Sequence, residues 1–395
     1  MRILLLVDDY IPHSTKIGAK MMHELAVALV KQNHDVSVAT PDHRTNSKYV
    51  LDIIDKVEVY RFKCPNVKDE SKLKRAINES LLSFYALKNL KTVFAENKFD
   101  LIIYYSPSIF FGPLVRKLKK KWNAKSFLIL RDIFPQWVID HGMIKEKSPI
   151  AAYFRKFEKL NYKTADKIGL QSPKNEVWFN AKFKLEHKTE VLYNWSNESP
   201  LDNLSNTYRS KLGLKNKLVF FYGGNMGEAQ DMMNLVRLAK NLLPFKSAHF
   251  VFAGSGNEVD LIKSAILKNN LTNLTLLDPV DQEAYRKMLS EFDIGLFSLH
   301  KDHSTHNFPG KLLGYMAQGL PILGSVNTDN DVKEIINNFH AGMISINGED
   351  QIFAQNAIKL IEDAELRKEL STKSYELLKS TFSIKSAIRT MVPKC

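Results

Sequence analysis

Cysteine is almost absent: Cys64 and Cys395 are the only two in a chain of 395 residues. That is too few for a disulfide framework, and they lack the spacing of metal ligands. Long apolar runs are missing as well. The chain starts on Ile3–Val7, but Asp8 and Asp9 end the run, which is too short for the core of a secretory leader or for a spanning helix. It reads as a buried first strand, and these features together predict a cytoplasmic protein. No internal repeat and no low-complexity tract occurs. Basic-aromatic interleaving of the single-strand-binding kind is lacking, as is a DNA-reading motif, so no nucleic acid partner is expected. No divalent metal site is readable in the sequence, so no metal is expected.

Charge is abundant but uneven. Residues 1–195 hold 34 Lys/Arg against 21 Asp/Glu, and the remaining 200 hold 22 of each, so the whole net charge of +13 lies in the first half. It concentrates in Lys72–Arg75, Arg116–Lys125 and Arg155–Lys188. Two readings stand side by side: a solvated basic face, or attraction to an anionic bilayer or a phosphate-bearing acceptor, worth about 1 kcal/mol per basic residue near such a surface.

Short apolar runs alternate with helical spacing throughout. The first half carries Ile3–Val7, Val36–Ala39, Val57–Phe62, Leu101–Tyr105, Ser126–Leu130 and Lys167–Leu170. After a polar stretch at 194–206 come Leu218–Tyr222, His249–Ala253, Leu274–Leu277, Ile294–Ser298 and Pro321–Gly324. Near-continuous apolar strands separated by helices indicate parallel sheets covered on both faces, and two such series predict two doubly wound α/β domains. The segment from Asp363 to Val392 is helix-prone, with breaks near Thr381 and Ser383.

Several strand-to-helix turns could carry chemistry. Tyr222-Gly223-Gly224-Asn225-Met226-Gly227 follows an apolar strand and precedes a helix. Glycines there let backbone N–H groups approach an anion, although a plain tight turn has the same look. Ala253-Gly254-Ser255-Gly256-Asn257 repeats the pattern. Pro309-Gly310 opens a helix that Gly319 and Pro321 close, which puts Lys311 in its first turn, against the helix dipole. A bound phosphate would reverse that conflict, because cation and N–H groups would share one anion. In the first half, Arg131-Asp132 ends an apolar strand. Two charges at that place mark either a site or an ion pair that anchors the loop.

In these residues the chain resembles the GT-B glycosyltransferases, and among them family 4 of the retaining enzymes. The glycine turns, Pro279-Val280 and the Lys311…Ala317-Gln318-Gly319-Leu320-Pro321 helix stand in that family's order and spacing, and the likeness runs over nearly the whole chain. Arg131–Pro135 and Ile168–Pro173 look more narrowly like the bacterial O-antigen and capsule branch, which includes the N-acetyl-L-fucosamine transferases. The resemblance implies two facing Rossmann-like domains. An acceptor domain would span 1–193, a donor domain 194–377, and a C-terminal helix from about residue 378 to 395 would cross back to the first. It further implies a UDP-sugar co-substrate, no required cofactor and a polyprenyl-diphosphate-linked saccharide acceptor. The enzyme would then lie at the inner face of the bacterial cell membrane.

Carried over by position, Gly18 and Gly227 would lie under the diphosphate, with Lys311 and the N–H groups of Leu312 and Leu313 on its oxygens. Gly254 belongs to the second turn, and Val280 would meet the base through its backbone. The basic pair that often clamps the diphosphate falls here on Asn225 and near Gln230 or Asp231. The family's two glutamates fall on His306 and Gly314. His306, Asn307 and Phe308 would line the donor sugar. Arg131, in the place of the family's histidine, and Asp132 would sit where acceptor and donor meet. Arg131, Asp132, His306 and Lys311 are thus the candidate catalytic set. The departing phosphate oxygen can take the acceptor's proton, so catalysis reduces to positioning and electrostatics. A UDP-sugar 2-epimerase of the same fold and a non-enzymatic sugar-binding protein are the alternative readings.

Overall fold

The computed structural model describes residues 1–14, 16–67, 72–140, 142–197, 200, 207–302 and 308–392. The chain divides into two compact units, Met1–Tyr193 with Ile384–Cys395, and Asn194–Ser383.

The first unit is an eight-stranded sheet in the order β3-β4-β2-β1-β5-β6-β7-β8. Its strands are β1 (Arg2–Leu6), β2 (Asp35–Asp42), β3 (Tyr49–Ile54), β4 (Val57–Lys63), β5 (Leu101–Ser106), β6 (Lys125–Leu130), β7 (Lys167–Leu170) and β8 (Thr189–Val191). All neighbours pair in parallel except the β3–β4 hairpin. Leu4, Leu5 and Leu6 of β1 are buried on both faces of the sheet, which is why the opening run carries no alternation. β3 is not among the apolar runs. It is an edge strand with Leu51 and Ile53 exposed, and its hydrogen bonds to β4 rather than its burial define it.

The helices start where small polar caps and proline place them. Ser148 accepts from Ala151 N–H ahead of Pro149–Thr164, and Ser172 accepts from Asn175 N–H ahead of Pro173–Phe183.

The second unit is a six-stranded, wholly parallel sheet ordered β11-β10-β9-β12-β13-β14. It is built from β9 (Leu218–Asn225), β10 (Ala248–Ser255), β11 (Leu274–Leu277), β12 (Ile294–Ser298), β13 (Ile322–Val326) and β14 (Gly342–Ile346). In each sheet the strand order reverses beside its first strand, β1 or β9, and such a switch point opens a crevice at the strands' carboxyl ends.

The chain rejoins the first unit at Ile384, later than the expected residue 378. Leu378 and Phe382 are buried in the second unit, and the Phe382 ring lies 4.4 Å from that of Phe308. Only then does the helix Ile384–Met391 pack on the helix Ile17–Lys31, burying Ala387, Ile388 and Met391. No helix among the described residues is long and apolar enough to cross a membrane.

Candidate functional site

At the carboxyl edge of the second unit, β9 and β10 run in register to Asn225 and Ser255, with Gly224 beside Gly254. A Cβ on residue 254 would lie 1.9 Å from the Gly224 carbonyl oxygen, and one on residue 256 would lie 2.1 Å from that of Met226. The glycines of the second turn are therefore required by the neighbouring backbone.

Side chains alternate along β9. On one face, Gly223 leaves room for the Tyr285 ring, whose Cε2 would be 2.3 Å from an added Cβ. On the other, Tyr222 and Gly224 form the seat of Lys311. The Lys311 Nζ lies 3.5 Å from the centre of the Tyr222 ring, and an added Cβ at Gly224 would be 3.7 Å from it. This ammonium is buried and has no hydrogen-bond partner among the described residues.

A cation over an aromatic face gains up to about 2 kcal/mol when desolvated, less than the several kcal/mol lost with its hydration. Burial accordingly pushes the Lys311 pKa down to about 7. The Gly310–Ala317 helix places the residue in its first turn, where the dipole adds to the conflict. Tyr222 was missed in the sequence, although its parity with Gly224 and its place before the glycine pair were readable.

Other assignments around this lysine change. Gln230 is a brace: its Oε1 accepts from Asn225 Nδ2 at 2.7 Å and from Gly227 N–H at 3.2 Å. The Gly227 amide is thereby engaged within the loop, and the same holds for Leu312, whose N–H donates to Pro309 O at 3.1 Å. Leu313 follows it as a buried side chain. Asp231 caps the helix Met232–Asn241 through Asn234 N–H.

Phe308 is 4% exposed and its ring packs on that of Phe382. Gly314 faces Leu289, whose Cδ1 would be 3.2 Å from an added Cβ. A larger side chain there would press on Leu289. Val280 is exposed on the loop after β11. His306 and Asn307 lie outside the described residues.

In the first unit, Gly18, Arg131 and Asp132 come together at the carboxyl ends of β1, β5 and β6. A Cβ on Gly18 would be 3.1 Å from the Tyr105 hydroxyl, so glycine lets the Ile17–Lys31 helix reach β5. Burial pushes the Tyr105 phenol up to about 12, with Arg131 opposing and Asp8 and Asp132 adding to it. Arg131 sends Nη1 to Leu192 O at 2.6 Å and Nη2 to Tyr193 O at 3.1 Å. Burial brings its pKa down to about 10. Two of its guanidinium nitrogens thus hold the last residues of the unit's first segment. Burial, together with nearby Asp8, holds the Asp132 carboxyl above the ordinary range, while Arg131 works the other way.

Beside them, a cavity of about 430 Å³ opens at the ends of β1, β2 and β4, lined among others by His13, Thr40, Asp42 and Arg44. Among the described residues, no three His, Cys, Asp or Glu side chains gather so as to hold a metal.

The family description Glycosyl transferases group 1 matches residues 205–377, which lie in the second unit. WcaI of Escherichia coli (strain K12), assigned as a colanic acid biosynthesis glycosyl transferase, is 24% identical over 339 residues, 81% of this chain and 82% of that one. The whole chain superposes on the solved structure of Anabaena Alr3699/HepE in complex with UDP-glucose, with a TM-score of 0.64 and 14% identity, covering 99% of this chain and 98% of that one. The chain has the GT-B fold, and its second unit matches the glycosyl transferase group 1 model. A further relative, WbjE of Pseudomonas aeruginosa, assigned as a glycosyltransferase, is 25% identical over 231 residues. That alignment spans 57% of this chain and a little over half, 56%, of the relative. The epimerase reading finds no support among these glycosyltransferase relatives.

Proposed function

We propose that this glycosyltransferase moves a sugar, with retention, from a UDP-sugar to a saccharide carried on polyprenyl diphosphate, in bacterial surface polysaccharide synthesis. The second unit takes the donor and the first the acceptor. The buried Lys311 ammonium carries this reading. It lies beside the glycine turn with no hydrogen-bond partner among the described residues, and a diphosphate oxygen at hydrogen-bond distance would supply its counter-charge. The UDP-glucose bound to the HepE relative supports a nucleotide-sugar donor. The colanic acid assignment of WcaI supports a polysaccharide product. An amino sugar such as N-acetyl-L-fucosamine is the donor sugar that the narrower sequence resemblance favours.

Lys311 would neutralise the leaving diphosphate, whose own oxygen takes the acceptor's proton. Asp132, not Arg131, would accept a hydrogen bond from the acceptor hydroxyl. The peripheral site at the membrane's inner face follows from the lipid acceptor and the basic first unit. Incubating the protein with a panel of UDP-sugars and a polyprenyl-diphosphate saccharide tests the reading. Slow UDP release that the lipid accelerates supports it; isomerised or untouched donor overturns it.

A further inference from the structure

We infer that the three consecutive helices Gln136–Asp140, Pro149–Thr164 and Pro173–Phe183 present a bilayer-inserting face, with Trp137, Tyr153 and Trp178 as anchors in an anionic lipid surface. The inference rests on the membrane-held acceptor proposed above. The face overlaps the basic stretch Arg155–Lys188 and adds exposed aromatic side chains to it.

Trp137 is 44% exposed, Tyr153 44% and Trp178 40%. Contacts among the three helices make them neighbours. Lys182 lies 5.2 Å over the Trp178 ring and donates to Gln136 Oε1, and Arg155 donates to the same oxygen at 2.5 Å. Trp137, next to Gln136, stands 6.4 Å from Phe134, which packs at 4.8 Å on Phe154 beside Tyr153. Val177 and Ile150 extend the exposed apolar set, at 70% and 48%. Aromatic residues with one wet and one apolar end favour the headgroup boundary, and lysines reach past them to the phosphates. The charge fits that partner: residues 136–184 hold ten Lys/Arg and five Asp/Glu, with Lys145, Lys147 and Lys156 exposed close by in sequence. A protein partner of similar apolarity would not call for this cationic surround.

The full chain can be titrated with phosphatidylglycerol vesicles, with and without brominated acyl chains, while tryptophan emission is read. Trp122 and Trp195 are buried, so a blue shift and bromine quenching report Trp137 and Trp178. The expected result is quenching that Trp137→Ser and Trp178→Ser each roughly halve. The double variant should co-sediment at least tenfold more weakly while binding UDP as before. Absence of quenching, undiminished partition of the double variant, or a dimer of the free chain that buries both tryptophans would overturn the face. Lys311→Ala should keep full vesicle binding, so a failure of the donor assignment and a failure of this surface are read separately.

Discussion

Lys311 states the chemistry most sharply because its environment is wrong for a resting cation. A lysine whose pKa falls from 10.5 to about 7 makes the folded state bind fewer protons than the unfolded chain between those values. Its penalty is therefore fully present below about pH 7 and is relieved as pH rises toward the unfolded value. Every tenfold weakening of its hold on the proton costs about 1.4 kcal/mol of stability there. Lys311→Met is accordingly expected to raise the melting temperature of the ligand-free protein at pH 6, while Lys311→Ala should slow transfer by about 10²–10³-fold. A variant that transfers at the wild-type rate would remove the lysine from the reaction. UDP binding should also take up a proton above pH 7, which calorimetry in buffers of different ionisation enthalpy detects. The lysine in a first turn was readable in the sequence. That Tyr222 forms its floor and that Leu312 N–H is already bonded was not, because both depend on how β9 meets a helix about ninety residues later in the chain.

At the scale of elements, the strand runs and glycine turns were legible because burial on both faces writes itself as apolar runs. The exceptions lack a long unbroken buried run, each for its own reason: β3 is exposed, β8 has three residues, and β14 is interrupted by Ser345. Glycine turns were ambiguous for the opposite reason, since glycine answers equally to a ligand and to a neighbouring backbone. Gly254→Ala discriminates: with its Cβ 1.9 Å from a carbonyl oxygen, the variant should lose stability by more than the roughly 1–3 kcal/mol of ordinary overpacking, measured by urea unfolding. Gly310→Ala, with no atom within 4 Å of the added Cβ, should stay near wild type in the same experiment. Helix caps belong here too. Ser148→Ala removes the bond to Ala151 N–H and should cost about 1 kcal/mol without changing UDP affinity.

At the scale of the molecule, the division into units sharpens the charge asymmetry. The first unit, with its returning segment, holds 37 Lys/Arg and 21 Asp/Glu, and the second holds 19 and 22. Not all of the basic excess is free for a partner. Lys119 is bound to Asp166 and the Thr164 carbonyl, and Lys121 to the Phe94 carbonyl, so part of Arg116–Lys125 braces the first sheet. The returning helix is part of the first unit's core. Ending the chain after Ser383 would delete the buried Ile388 and Met391, uncover the Ile17–Lys31 helix they pack on, and remove about 3–6 kcal/mol of burial. Hydrogen exchange should then quicken in the Ile17–Lys31 helix while UDP affinity persists. Equal acceleration in both units would contradict the division.

By itself the sequence determined two parallel α/β series, the placement of the basic surplus and the lysine opposed to its helix dipole, since each follows from local periodicity and counting. Only the tertiary structure decided what those residues face. It holds the Arg131 guanidinium on the Leu192 and Tyr193 carbonyls, packs Phe308 on Phe382, and gives the buried Lys311 ammonium no hydrogen-bond partner among the described residues. The physical reason is the same in each case: a side chain's chemistry is set by its desolvation and its partners, and those come from segments far away in the chain.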